Sequence, residues 1–421
     1  MIRKPDAEVI IAGGGPAGSI AAYTLAVAGI SVLLIEKSQF PRYKVCGGGL
    51  THKILREIPF DISQVTGQPV HSIRFSCGFE NVFTRTSAHP LLYCSMRDEL
   101  DAFLLNEAVK AGTKVLFGEK VTGVAQENGL VEVETTSGKR YSRLVIGAEG
   151  AAGAVARAAG LRDHIMMGLA WEAELKPEES FLKEFKQTVF LDWGTFPGGY
   201  GWIFPKKDHI SVGVGGPATL SKAMMSYYEG FLRSSGLSID PGNAGNRGNL
   251  RKAESLSLRS WPIPVRIKNA DFHKGNILIT GDAAGLTDSL TGEGIYYAVR
   301  SGKLAAESCI RYLSGNPHAV QDYSAAVTEE LMKELLEANR IKSLFNSFPM
   351  QIHNWVRTSD RVWEAFGKIL RGERFYADVR RGFGKWKFLW GFTIGYSKLI
   401  SRFREKRYLA RVNRGDAKAQ R

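Results

Sequence analysis

Three stretches of this 421-residue chain carry residue types whose spacing can do chemistry. PRYKVCGGGL, Pro41–Leu50, sets one cysteine, Cys46, after Arg42 and Lys44 and directly before Gly47, Gly48 and Gly49. A thiol on a glycine-rich backbone suits a place that another molecule approaches closely. Arg42 and Lys44 would lower its pKa, and such a thiol can donate or take a proton. The plainer reading is a small filler in a tight loop. The second stretch, AEVIIAGGGPAGSIAAYTLAVAGISVLLIEKS, holds Gly13, Gly15 and Gly18 as G-x-G-x-x-G, with Glu36 further on. The third, GNILITGDAAGLTDSLTGEGIYYAVRSGKLAAE, ends a short apolar run in Gly281-Asp282 and opens a helical pattern from about Gly292.

These residues need elements to hold them. The second stretch reads as a strand at Val9–Ala12, a helix from Ile20 to Ala28 closed by Gly29, and a strand at Ser31–Ile35. The first glycine makes the turn, the second lets backbone amides approach a pyrophosphate, and the third lets helix and strand pack closely. The helix N-terminus favours the phosphate charge, and Glu36 can bond a ribose hydroxyl pair. A nicotinamide site does not need a second strand ending in Gly-Asp; an FAD site does. The Asp282 carboxylate can bind the ribitol chain. Amides near Gly292–Ile295 can stabilise negative charge on reduced flavin. Another strand runs into a glycine turn in SRLVIGAEGAAGAVAR, Ser142–Arg157. MRDELDAFL sets Arg97 at a helix start, with Leu100, Phe103 and Leu104 on one face. Arg97 can reach a phosphate or fix the cofactor loop; the alternative is a solvated i,i+4 pair with Asp101.

The middle of the chain patterns differently. Val70–Phe83 and Ile165–Ala173 alternate, and Thr188–Gly216 gives three short strands, which together predict an antiparallel sheet. Tyr200, Trp202 and Phe204 then share one strand face by the period of two, and three rings in a row suit a long apolar ligand or a core contact. Ala319–Asn346 reads as helical. Most of the formal charge of +14 falls between Arg371 and Arg421. There the apolar run Phe388–Tyr396 is too short to span a bilayer. It suits an interfacial helix with basic residues at lipid headgroups, or a helix packed on the body. No base-reading motif accompanies this charge, so nucleic acid is not an expected partner. The four cysteines (Cys46, Cys77, Cys94, Cys309) have neither zinc spacing nor the density of a disulfide scaffold, which predicts a reducing cytoplasm. The N-terminal apolar run is short and broken by glycines, unlike a signal peptide.

GGGPAG, PRYKVCGGG, MRDELDAFL and GDAAG…GEGI together resemble the geranylgeranyl reductase family, within the wider class of aromatic-hydroxylase-type flavoproteins. They frame the chain from Asp6 to about Leu313. The first and last are shared with hydroxylases and halogenases; the cysteine-glycine segment favours the reductases. The resemblance implies an α/β fold: a Rossmann-type FAD-binding domain (residues 1–64, 95–160 and 270–318), an inserted antiparallel-sheet substrate domain (65–94 and 161–269) and a helical C-terminal region with a basic tail (319–421). It implies FAD contacts from Gly13, Gly15, Pro16, Ala17, Gly18, Glu36, Lys37, Lys44, Cys46, Gly47, Arg97, Val121, Asp282, Gly292, Gly294 and Ile295. Cys46 is the implied catalytic residue, beside the isoalloxazine and the reacting double bond. YGWIFP resembles the family's Y-x-W-x-F-P segment and implies that Tyr200, Trp202, Phe204 and Pro205 contact a prenyl chain. Glu149 stands where the wider class usually has aspartate. Ser289 stands where the family usually has proline, which loosens a loop beside the flavin.

The implied activity is FAD-dependent saturation of carbon–carbon double bonds in a polyprenyl chain on a lipid, chlorophyll, quinone or diphosphate. NADPH or a ferredoxin would donate electrons, and the location would be cytoplasmic, peripheral on the inner face of the membrane. Rival readings are an FAD-dependent monooxygenase or halogenase of an aromatic substrate, or a membrane-associated electron-transfer flavoprotein. No lysine can be assigned the place a halogenase requires at the end of a tunnel.

Overall fold

The computed structural model describes residues 4–238, 251–381 and 387–413. Its first sheet is built around Ala7–Ala12, which pairs in parallel with Gly138–Gly147 on one side and Val32–Glu36 on the other. Lys114–Phe117 and Ile277–Ile279 extend the parallel set outward. Val9 to Ala12 and Val32 to Glu36 are buried throughout, as strands covered on both faces require. The helix Pro16–Val27 covers one face. It begins earlier than the apolar run suggests, because Pro16 at its first turn supplies a preset φ and lacks only an amide that would be unpaired anyway. Leu100 and Leu104 of the helix Arg97–Lys110 pack on Ile20 and Ile295, in a cluster that reaches Cys46.

The second sheet has eight strands, in the order Leu237–Ser238, Arg251–Arg266, Ile165–Pro177, Ile210–Pro217, Tyr200–Pro205, Thr188–Trp193, Ser72–Cys77 and Glu80–Thr86. It is not wholly antiparallel. Thr188–Trp193 runs parallel to Ser72–Cys77, because the chain leaves for the first sheet between them and returns in the same direction. One face of this sheet packs Phe190, Ile203 and Val212 on Tyr227 and Phe231 of the helix Ser221–Ser234. By the strand period the opposite face carries Leu191, Trp202 and Glu172. In a small third sheet Leu92–Cys94 pairs with Gly49–Thr51, at the end of the cysteine-glycine loop, and with Gln68–Val70.

The C-terminal region folds back instead of trailing away. Ala319–Val327, a π-helical turn at Thr328–Met332 and Lys333–Ser347 form one helical run. Pro349–Thr358 and Asp360–Leu370 follow, the latter capped by Ser359. The helix Lys387–Asn413 lies along Lys333–Ser347. Ser347 donates to the Ser397 carbonyl at 2.6 Å and Arg404 to the Asn346 carbonyl at 2.6 Å. Ile394 and Ser397 are buried, while Tyr396, Leu399 and Phe403 are exposed. Of the expected run Phe388–Tyr396, the side chains before Thr393 lie outside the described residues. Among the described residues no helix is long and apolar enough to cross a membrane.

Candidate active site

A cavity of about 1480 Å³ runs from the glycine turn, across the cysteine loop and the aromatic strand, to the C-terminal helices. It exceeds the roughly 300–1,000 Å³ of an ordinary ligand cleft, so it has room for a dinucleotide and a second ligand.

At the first end the glycines are sterically required. A Cβ on Gly13 (φ +101°) would stand 2.5 Å from the Ala148 carbonyl oxygen, and one on Gly18 would stand 1.9 Å from that of Gly13. Gly15 meets only Arg42 and leaves its backbone open to the cavity. Glu36 accepts the Gly14 amide at 2.7 Å and the Ser38 amide at 2.9 Å, which holds its carboxylate at the mouth of the turn. Lys37 and Val121 line the same end. Gly18 lies behind the turn and does not line the cavity, so its part is helix–strand packing. These residues fit FAD: a glycine cradle at a helix N-terminus, an acid for the ribose, and Arg42, Lys44 and Arg97 along the path. Glu149 caps the helix Ala154–Ala158, accepting the Ala154 and Val155 amides at 2.9 Å each.

The Arg97–Asp101 pair forms, but not in solvent. Arg97 donates two bonds of 2.8 Å to Asp101, which is fully buried and also binds Arg42 at 3.1 Å. Burial opposes the Arg97 charge, and Asp101, then Cys46, overcome it and raise its pKa. Asp101 thus holds both guanidinium groups, and of the two it is Arg97 that also reaches Cys46. The Gly48 amide donates to Cys46 Sγ at 3.3 Å. Lys44 points over the Trp261 ring at 4.1 Å. Burial, then Arg97, bring its pKa down to about 8.

The glycine run after Cys46 has a packing reason that the sequence alone did not reveal. Cβ atoms on Gly47 and Gly49 would each stand 2.9 Å from the Phe204 ring. Gly48 (φ +66°) faces the Ser95 carbonyl, and Lys206 donates to the carbonyls of Gly47 and Ser95 at 2.8 Å each. The loop is thus laid flat against the aromatic strand. Glu293 binds Lys53 at 2.6 Å and accepts from Thr51, and Tyr200 donates to the Thr291 carbonyl at 3.0 Å. These contacts clamp the Gly292–Gly294 turn against the cysteine loop. The helix behind that turn starts at Ile295, with Gly294 as its N-cap. Asp282 and Ile295 line the cavity beside it. Asp288 holds the loop that carries Ser289, accepting the Leu290 amide at 2.7 Å and the Tyr376 hydroxyl at 2.7 Å.

Tyr200, Trp202 and Phe204 all face the cavity. Pro205 does not; it falls with Ile203 on the opposite face, as the period of two dictates. Beyond the rings the wall is aliphatic and aromatic: Leu191, Leu344, Phe348, Ile352, Phe366 and Ile369. Most of these belong to the C-terminal helices, which the sequence reading identified as helical without giving them a part in the site. Their apolar faces were the available signal. Sequence reasoning also missed Tyr43 and Glu172, which line the cavity and are sealed from solvent at their oxygens.

Comparison with known proteins agrees with this geometry. The family model described as an FAD binding domain matches residues 6–183. An uncharacterised protein of Methanosarcina barkeri is 36% identical over 73% of this chain and 75% of its own length. The chloroplastic geranylgeranyl diphosphate reductase of Nicotiana tabacum is 29% identical over 73% of this chain and 67% of its own. The crystal structure of a geranylgeranyl bacteriochlorophyll reductase-like protein from Thermoplasma acidophilum superposes with a TM-score of 0.69, at 24% identity, over 81% of this chain and 87% of that one. The chain is an FAD-dependent oxidoreductase whose homologues include the geranylgeranyl reductases.

Proposed function

We propose that this enzyme saturates isolated carbon–carbon double bonds of a polyprenyl chain carried on a lipid, quinone, chlorophyll or diphosphate. One observation carries the reading: the cavity that holds the FAD cradle continues past Cys46 into an apolar part lined by Trp202 and Phe204 of the second sheet and by Leu344, Ile352 and Phe366 of the C-terminal helices. A chain of branched methyl-bearing units fills such a tunnel. A compact aromatic substrate, as a monooxygenase or halogenase would use, leaves most of it empty.

FAD, when bound and reduced, supplies two electrons and one hydrogen to one carbon of the double bond. Gly13, Gly15, Pro16, Ala17 and Glu36 would hold its dinucleotide part, and Asp282 with the Gly292–Ile295 turn its ring end. The protein has to exclude water, align the chain and place a proton on the other carbon, since an isolated alkene is a poor electrophile. Cys46, held by the Gly48 amide and facing Arg97, is the nearest candidate on the cofactor loop. The exposed stripe Tyr396, Leu399 and Phe403, among Lys398, Arg402 and Lys406, supports a membrane-surface position from which a lipid could enter.

The test is anaerobic incubation of flavin-loaded, dithionite-reduced protein with geranylgeranyl diphosphate and with prenylated glycerol lipids. Mass gains in steps of two support the reading, and Cys46→Ala should lower turnover about a hundredfold with FAD content unchanged. Separate arms with NADPH and with reduced ferredoxin identify the donor. Oxygen insertion into aromatic acceptors on admitting air, with no prenyl mass gain, would overturn the reading.

A further inference from the structure

Two acids sit on the cavity side of the second sheet, and the reaction scheme above does not use them. Glu172 and Glu174 lie two residues apart on Ile165–Pro177, so they share one face, their Cα atoms about 7 Å apart. Glu172 is fully buried, and the one side chain that offers its carboxyl a hydrogen bond is the equally buried Ser211, at poor geometry. Its row across the sheet runs through Gly213 to Trp202. Gly213 has no side chain, and the Trp202 ring fills that space; a Cβ there would stand 2.2 Å from it. Glu172 thus stands beside the ring that walls the cavity. A buried carboxyl so weakly satisfied is costly to keep, which points to a task for it.

Glu174 connects this buried acid to the surface. Its carboxylate meets His209 Nε2 at 3.0 Å. His209 Nδ1 meets Asp208 at 2.8 Å, and the Asp208 side chain is 72% exposed. On the inner side, Tyr43 lies within electrostatic reach of Glu172, Glu174 and Cys46, and its buried hydroxyl has no partner among the described residues. We propose that Asp208, His209, Glu174 and Glu172 form a proton path from solvent into the reaction chamber, with Glu172 as its inner reservoir and Tyr43 as the link towards Cys46.

This inference rests on the alkene-reduction reading for its purpose, but not for its chemistry. The path carries protons only. Cys46 gives the proton that ends in the new C–H bond as the double bond opens, and Glu172 restores the thiol's proton through Tyr43. The Glu172 carboxylate is refilled through Glu174 and His209 from water at Asp208. The electron pair comes from the reduced flavin. The groups that face Glu172 are Tyr43 and Lys44 from the cysteine loop, Lys206 after Tyr200–Pro205 and Ser211 from the next strand. Arg259 stands opposite in Arg251–Arg266, and Tyr228 comes from the helix behind. Burial, then the negative Glu174, push the Glu172 pKa up to about 7, which suits a group that must give and regain a proton near neutrality. At His209 burial opposes the charge, but the bonds to Glu174 and Asp208 outweigh it and hold its pKa above the ordinary value.

Infrared difference spectra of the oxidised, flavin-loaded protein between acid and alkaline pH give the first readout, which needs no turnover. We expect a carboxylic-acid carbonyl band that disappears as pH rises through neutrality. Glu172→Gln should lack it, and Glu174→Gln should move its midpoint down, because a neighbouring negative charge is gone. The second readout is turnover on the prenyl substrate. Glu172→Gln and His209→Gln should each lower kcat at least tenfold, with KM and FAD content unchanged. Absence of the band in the parent protein, or its persistence in Glu172→Gln, overturns the reservoir. Full turnover in His209→Gln overturns the path. If the parent protein reduces no prenyl lipid, the alkene reading fails, while the band and its response to Glu174→Gln still decide whether the two acids share a proton.

Discussion

Gly47 lies so close to Phe204 that a methyl group on its Cα would stand 2.9 Å from the ring and 3.3 Å from Trp202 Nε1. The contact joins the loop that carries Cys46 to the strand that walls the tunnel, so the thiol's position depends on the aromatic wall. Gly47→Ala should destabilise the protein by about 1–3 kcal/mol, as overpacking does. Phe204→Leu in the same chain should recover much of that loss, and denaturant melts of the four-member cycle would show the coupling. Gly48→Ala should fare worse, because positive φ and a 2.0 Å approach to the Ser95 oxygen coincide there. No compensating change in a side chain should rescue it.

Glu36 satisfies two backbone amides that the turn leaves pointing inward. Glu36→Ala would strip both of their acceptor and remove the acid from the cofactor end of the cavity. FAD binding should weaken by about ten- to hundredfold. Titration of the deflavinated protein with FAD, followed by flavin fluorescence, measures it directly.

The tunnel makes a separate prediction, about chain length. Ile352 and Phe366 line it beside Leu191 and Trp193, on the far side of the aromatic strand from Glu172. Ile352→Trp should raise KM for a twenty-carbon prenyl substrate severalfold and spare a ten-carbon one, with FAD content unchanged. Equal losses on both would show that the prenyl chain takes another route.

Glu172 also governs stability against pH. Its folded pKa of about 7 lies above its ordinary value of 4.5. Between those values the folded state holds a proton that the unfolded state has released, so stability falls as pH rises. The full gap corresponds to roughly 3 kcal/mol, lost by the time pH passes neutrality. Glu172→Gln should therefore match the parent protein near pH 4 and be the more stable of the two near pH 8. Melting curves at the two pH values test the sign.

For the surface helix, Leu399→Glu with Phe403→Glu should abolish sedimentation with anionic phospholipid vesicles and leave the melting temperature unchanged, because both side chains are exposed. Retention of vesicle binding in the double variant would place any membrane contact elsewhere.

The FAD half of this protein was legible from its residues because the requirement there is local. The turn accepts only glycine at Gly13 and Gly18, Gly15 between them leaves the backbone open for a pyrophosphate, and the ribose acid follows at the end of the next strand. Strand alternation likewise set Tyr200, Trp202 and Phe204 on one face before any fold was known. The sequence could not show what stands opposite that face. The helices Lys333–Ser347, Pro349–Thr358 and Asp360–Leu370 turn their apolar sides to it only because the chain folds back. An apolar helix face reads the same whether it packs on core or lines a tunnel. Nor could it show that Asp101 holds Arg42 and Arg97 together beside Cys46, or that His209 joins Glu174 to the surface. Those pairings bring together residues from separate elements, and side-chain chemistry alone does not rank one partner above another until the backbone fixes their distances.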